Sequence, residues 1–279
     1  MRLIDSHAHL QADAFAGDLA VVVEASRSAG VERLMVPGWD ADSSAAALRV
    51  AREWGFEVAV GIHPHDAATA TAAEWSAVVE LAAETEVVAI GETGLDFDRM
   101  HSPQEAQLAN LRRHLRLALN MGKPAVLHCR SAAGARDAQD ALIAELHAAG
   151  FGGAASRAAF GERPPAILHS FSGPVDYGAA ALEMGLAIAF GGLVFRRGED
   201  ASAEVARLVP AERLLVETDS PYLAPPGVPR GSVAGFSGRR NSPEWVRVTV
   251  EWLAEQRGAS TDSIGGGLVA AYDAVFVRR

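Results

Sequence analysis

Six side chains in this sequence are of the types that hold divalent ions: His7, His9, Glu92, His128, His169 and Asp219. Neutral imidazole and carboxylate bind Zn²⁺, Mn²⁺ and similar ions, and carboxylate is the usual bridge between two of them. His7 and His9 are two residues apart in SHAHL. In an extended chain such residues point to one side, so both rings can reach one ion. The same pair also reads as two histidines in a turn, so its spacing alone decides little. The other four carry more weight. Glu92 stands in AIGETGLD, His128 in AVLHCR, His169 in AILHSF and Asp219 in LLVETDSPYL, each at the carboxyl end of a short apolar run. A catalytic ion keeps a position open for water, so four histidines and two carboxylates exceed the needs of one ion. They point to a binuclear centre with Glu92 as its bridge. Such a pair lowers the pKa of water and orients it for attack. Asp219 is placed to orient that water or take its proton. Two divalent ions offset by two carboxylates leave about two positive charges, which draw an anionic substrate such as a phosphodiester.

Bringing six distant residues to one place requires a fold whose strand ends converge. Short apolar runs at 2–5, 33–37, 57–61, 87–91, 124–128, 166–169, 186–190 and 213–217 read as strands of a covered parallel sheet. Helical patterns fill segments between them, at 18–29, 43–54, 104–121 and 137–149, and a last one lies at 243–256. Eight alternations in one chain argue for an α/β fold, a closed (β/α)8 TIM barrel, rather than an open sheet. Barrel enzymes place their chemistry at the carboxyl ends of the strands. Two stretches read as insertions or loops: 151–165, rich in Gly, Ala and Pro, and 224–240, which follows the Asp219 motif.

The 279 residues match one α/β barrel, so a single domain over 1–279 is expected. Apolar residues make up 49% and charged residues 22%, as in a soluble globular protein. The net charge is −10, which argues against a surface that coats nucleic acid but not against a local cationic site. Cys129 is the only cysteine, so no internal disulfide forms, which fits a cytoplasmic location. No signal peptide and no stretch of the roughly 20 apolar residues of a membrane span is evident. A monomer is the default expectation.

The motifs DSHAHL, GIHPHDA, IGETGLDFDR, HCR, LHSFSG and VETDSPYLAP, in this order, resemble the TatD family of metal-dependent hydrolases. The resemblance runs from about Arg2 to about Trp245. It implies an amidohydrolase-like barrel, a divalent-metal centre on the same six residues, and hydrolysis of phosphodiester bonds in DNA. The implied enzyme is a deoxyribonuclease, typically a 3′–5′ exonuclease. His63 of GIHPHDA corresponds to a histidine that faces substrate beside the metals, while His65 also reads as a plain loop residue. Three departures stand out. Ser131 follows HCR where members often carry Asp, the Ser237–Pro243 run lacks the usual His, and the pattern near residues 270–276 is blurred.

Arg130, with Arg239 and Arg240, has the fork that holds phosphate oxygens, although surface charge is the alternative for each. Two rivals compete with a nuclease on single-stranded DNA or strand ends. The first is an amidohydrolase-type reaction on a lactone, an amide or an aminoacyl ester of tRNA. Many barrels of that type bridge their metals with a carboxylated lysine. Lys123 is the only lysine here and precedes a strand, so Glu92 takes the bridging position. The second is a binding protein without catalysis, which fits poorly with six intact ligand positions. The acidic surface favours grip on a few nucleotides at a strand end, and so exonuclease action.

Overall fold

The computed structural model describes residues 1–233 and 236–277. Eight parallel strands form the central sheet in sequential order: β1 (Leu3–Asp5), β2 (Val31–Pro37), β3 (Glu57–Val60), β4 (Val87–Asp96), β5 (Ala125–Arg130), β6 (Ala166–Leu168), β7 (Ala187–Phe190) and β8 (Leu214–Val216). The ends join as well. The Ser6 amide donates to Val216 O at 3.0 Å, the Asp219 amide to His7 O at 2.9 Å and the His9 amide to Ser220 O at 2.8 Å. The sheet therefore rolls into a (β/α)8 barrel, as the alternation implied.

The strands are almost wholly apolar because helices cover their outer faces. The alternating helices are α1 (Leu19–Ala29), α2 (Ala41–Trp54), α3 (Ala72–Leu81), α4 (Gln104–Met121), α5 (Asp137–Ala149), α6 (Ala154–Phe160), α7 (Val175–Glu183) and α8 (Ala201–Leu208). After β8 come α9 (Val246–Arg257) and α10 (Thr261–Val275). The longer helices bury apolar stripes: Leu111, Leu115 and Ala118 on α4, Leu142 and Leu146 on α5, Val250 and Leu253 on α9. Starts are set locally. Asp40 accepts the Ser43 amide at the head of α2, and Thr71 and Glu74 form a reciprocal capping box on α3.

Two segments differ from the sequence expectation. The 151–165 stretch, read as a loop, contains α6, whose Phe160 is buried. Its Gly and Pro residues bracket a short helix that tertiary packing holds. Within 224–240, β9 (Gly231–Val233) pairs antiparallel with β10 (Phe236–Gly238), while Ala234 and Gly235 lie outside the described residues. The fourth strand also runs on past residue 91 to Asp96. That extension lies close against β5: a Cβ on Gly94, where φ is +142°, would sit 1.9 Å from His128 O. Only glycine allows this approach, which draws the Glu92 and His128 segments together. No helix of the described residues is long and apolar enough to cross a membrane.

Candidate active site

The carboxyl ends of the strands open into a cleft of about 770 Å³, lined by His9, His63, Glu92, His128, His169 and Asp219 among others. This size falls in the range of small-molecule and cofactor sites. Glu92 lies inside β4 and is buried. Four imidazoles point at its carboxylate: His7 Nε2 at 3.2 Å, His63 Nε2 at 3.2 Å, His128 Nδ1 at 3.1 Å and His169 Nε2 at 2.9 Å. Asp219 Oδ1 stands 3.4 Å from His9 Nε2 and 3.8 Å from His7 Nε2. All six candidate ligands, and His63, are thus brought to one place.

The donor set fits divalent cations. His7 Nε2 and His9 Nε2 face each other at 3.2 Å, an arrangement that needs a shared proton or cation between two lone pairs. His169 Nε2 is buried 2.9 Å from Glu92 Oε1, yet makes no hydrogen bond. Three overlapping triads have ligand atoms within 4.8 Å of one another: His7, His169 and Asp219; His7, His9 and Glu92; His63, Glu92 and His128. Burial opposes charge on Glu92, but His169, His63 and His7 outweigh it and hold its carboxyl well below the ordinary value.

Residues behind these imidazoles fix their orientation. His9 Nδ1 lies 3.1 Å from Pro37 O, and His169 Nδ1 lies 3.1 Å from the buried Glu217 Oε1. His128 Nε2 lies 3.2 Å from Asp96 Oδ2, which also meets His65 Nε2 at 2.8 Å. Burial would raise the Asp96 carboxyl. Hydrogen bonds from His128, His65 and the Arg99 amide overcome this and keep it far below the carboxylate range. Asp5 accepts the His7 amide and both the amide and the hydroxyl of Thr218, which joins the β1 and β8 loops. Burial pushes its carboxyl up to about 7. Carboxylate–histidine pairs of this kind set the ligand tautomer and ring orientation. Asp5, Asp96 and Glu217 received no role from the sequence. Their signal was present: each is an acid inside DSHAHL, GETGLD or VETD, beside a candidate ligand.

His63 differs from the other imidazoles. Its Nδ1 accepts the His65 amide at 3.1 Å, so the neutral ring carries its proton on Nε2, toward the cleft. Burial lowers its pKa to about 4, which keeps the ring neutral. Its peptide is held by α4: the neighbouring Ile62 amide donates to His114 Nε2 at 3.0 Å, and Asn110 Nδ2 donates to Ile62 O at 2.7 Å. His65, open as a loop residue in the sequence, stacks on His101 with ring centroids 4.3 Å apart at the cleft edge.

The arginines divide. Arg130 ends β5, lines the cleft and lies 3.5 Å from Asp96. Arg240 does not line it. Its guanidinium grips Asp18 at 2.6 and 2.7 Å and the Ala14 carbonyl, and it lies over the Phe15 ring. Arg239 is exposed and also outside the cleft lining. Ser131 has a local purpose, accepting the Ala138 amide at 2.9 Å in the first turn of α5. Asn241 donates to Thr218 O at 2.8 Å and so braces the Asp219 turn. Lys123 lies away from the mouth, where its Nζ donates to Ala82 O at 2.6 Å. Cys129 lines the cleft, but burial pushes its thiol up to about 12, so it is no nucleophile.

Comparison with known proteins agrees with this geometry. The family model described as TatD related DNase matches residues 4–276. A Bacillus subtilis (strain 168) protein named as the uncharacterized metal-dependent hydrolase YabD is 32% identical over 263 residues, covering 94% of each chain. The Escherichia coli (strain K12) protein named 3′–5′ ssDNA/RNA exonuclease TatD is 35% identical over 259 residues, covering 92% of each. The crystal structure of YJJV, a TatD homolog from Escherichia coli K12, superposes with a TM-score of 0.83 at 25% identity, covering 99% of this chain and 98% of that one. A barrel whose strand ends gather histidines around a buried glutamate, and which is matched over nearly its whole length, belongs to the TatD-related DNase family of metal-dependent hydrolases.

Proposed function

We propose that this enzyme is an exonuclease that removes nucleotides from the 3′ end of single-stranded DNA. In this reading His7, His9, Glu92, His128, His169 and Asp219 would hold two divalent ions (Zn²⁺, Mn²⁺ or Mg²⁺), and Glu92 would be the residue common to both. One observation carries the reading: four imidazole nitrogens converge on the Glu92 carboxylate at 2.9–3.2 Å. The printed name of the Escherichia coli relative supports the choice of substrate. When bound, the ions supply Lewis-acid charge and make water a stronger nucleophile.

The chain's own groups complete the task. Asp219, the more accessible of the two carboxylates, orients the attacking water and takes its proton; as the new P–O bond forms, the bond to the leaving sugar oxygen breaks and that oxygen takes up a proton. His63 donates a hydrogen bond from its Nε2–H to a phosphoryl oxygen, since its other nitrogen is occupied by the His65 amide. Arg130 holds a second oxygen in a charge-assisted hydrogen bond. The net charge of −10 limits contact to a few phosphates near the strand end.

The test is hydrolysis of a labelled single-stranded oligonucleotide across a titration of Mg²⁺, Mn²⁺ and Zn²⁺, beside an aminoacylated tRNA. Stepwise shortening from the 3′ end that requires added metal is expected, with little release of the amino acid. Faster cleavage of the aminoacyl ester, or no shortening at any metal concentration, would overturn the reading.

A further inference from the structure

Two aromatic side chains border the cleft and have no part in the chemistry above. Trp39 follows β2 and Tyr222 follows β8, and those strands flank β1 in the closed barrel. His9 follows β1. The Trp39 ring meets it at a centroid distance of 5.4 Å and the Tyr222 ring at 6.1 Å, with interplanar angles of 69° and 67°. Both residues line the cleft. Tyr222 is 51% exposed, the only aromatic among the exposed large apolar side chains of the described residues. The facing edge has a different character. It carries His65 and His101 from the loops after β3 and β4, Arg99, and Arg130 at the end of β5. Asp66 and Asp98 line the same edge, so one edge of the cleft is aromatic and the other is polar and charged, with the candidate metal ligands between them.

We propose that Trp39 and Tyr222 form a stacking surface for the base beside the scissile phosphate. This rests on the phosphodiesterase reading and specifies which part of the substrate the site grips. Every base has a π-face, so aromatic rings bind it without reading its identity. In a duplex those faces are covered by neighbouring bases. A single-stranded end leaves them open. The rings thus select unstacked strands, while Arg130 on the facing edge takes the neighbouring phosphate.

The experiment compares kcat/KM on two single strands: oligothymidylate, and the same strand with tetrahydrofuran in place of the two 3′-terminal nucleosides. The wild type is expected to favour the strand with bases by about tenfold to a hundredfold. In Trp39→Ala/Tyr222→Ala that ratio falls toward one, and Trp39→Phe restores most of it. Equal slowing of both strands by the double variant, or no preference in the wild type, would overturn the proposal. A second measurement does not depend on hydrolysis. Thymidine 5′-monophosphate, but not deoxyribose 5-phosphate, should quench a fluorescence component that Trp39→Phe removes. Quenching without cleavage of either strand would retain the stacking surface and reject the nuclease reading. Equal quenching by both compounds would reject the stacking surface.

Discussion

The two ends of this barrel hold similar residue types in opposite states. At the amino ends of the strands charges close on one another in pairs: Arg2 with Glu32 at 2.7 Å, Arg33 with Asp273 at 2.7 Å, Arg52 with Glu84 at 2.6 Å. At the carboxyl ends, imidazole nitrogens face one another and crowd one buried carboxylate. Close to the site itself, His114 shows what a satisfied buried imidazole looks like. Buried in α4, it has both nitrogens matched to backbone, Nδ1 to Asn110 O at 2.8 Å and Nε2 to the Ile62 amide. His7 and His169 are equally buried but have nitrogens with no hydrogen-bond partner. A satisfied buried polar group stabilises the fold, whereas an unsatisfied cluster is tolerated where a ligand completes it. Barrel architecture separates the two duties between its ends.

Substitutions at each end break or sharpen that contrast. The largest effect is expected for Glu92→Gln, with turnover on oligonucleotide down at least about a hundredfold and an unchanged circular dichroism spectrum. Activity near wild type in metal-replete buffer would remove Glu92 from the centre. Asp96→Asn and Glu217→Gln should weaken metal binding or turnover by about tenfold to a hundredfold, because His128 and His169 lose the partners that orient them. Calorimetric metal titration reads this directly, and unchanged affinity together with unchanged kcat would refute it.

His114 makes a prediction about stability and pH. Burial lowers its pKa to about 3, below the ordinary 6.5, so the unfolded chain takes up the proton first as pH falls. Its contribution is fully present above about pH 6.5 and is lost progressively toward pH 3. Between pH 7 and pH 5 that amounts to about 2 kcal/mol. Denaturant unfolding of His114→Gln should show a drop in stability over this interval smaller by about that amount, and an identical drop in both proteins would contradict it. The smallest effect belongs to the opposite end. Arg33→Met should cost under about 1 kcal/mol in the same unfolding assay and leave oligonucleotide turnover unchanged. A large loss of turnover there would end the division of labour between the two ends.

The outline of the barrel was readable because parallel strands covered by helices are continuous apolar runs. The run at 57–61 is observed as Glu57–Val60, and the run at 166–169 as Ala166–Leu168. Several helices were less visible. α10 carries three consecutive glycines, Gly265 to Gly267, which weaken any helical signal. Their reason is tertiary: a Cβ on Gly265 would lie 2.3 Å from Arg2 O, so the helix needs glycine there to pass the first strand. The loop between α5 and β6 concealed α6 in the same manner, its helicity coming from packing rather than propensity.

The candidate ligands were legible from residue type and position, since six imidazoles and carboxylates at the carboxyl ends of strands point together to one cation-binding mouth. The second layer was not. Asp96 and Glu217 stand near candidate ligands in the sequence, but which imidazole each one orients emerges only when folding places them behind His128 and His169. Arg240 and Arg130 look equivalent until one closes on Asp18 and the other enters the cleft. Trp39 and Tyr222 lie 183 positions apart and become neighbours of His9 only when β8 closes on β1. Local chemistry is written in the chain, because a side chain's donors and the period of apolar residues are properties of the sequence. Which of those side chains share a cleft depends on strand order and closure, and only the assembled barrel settles that.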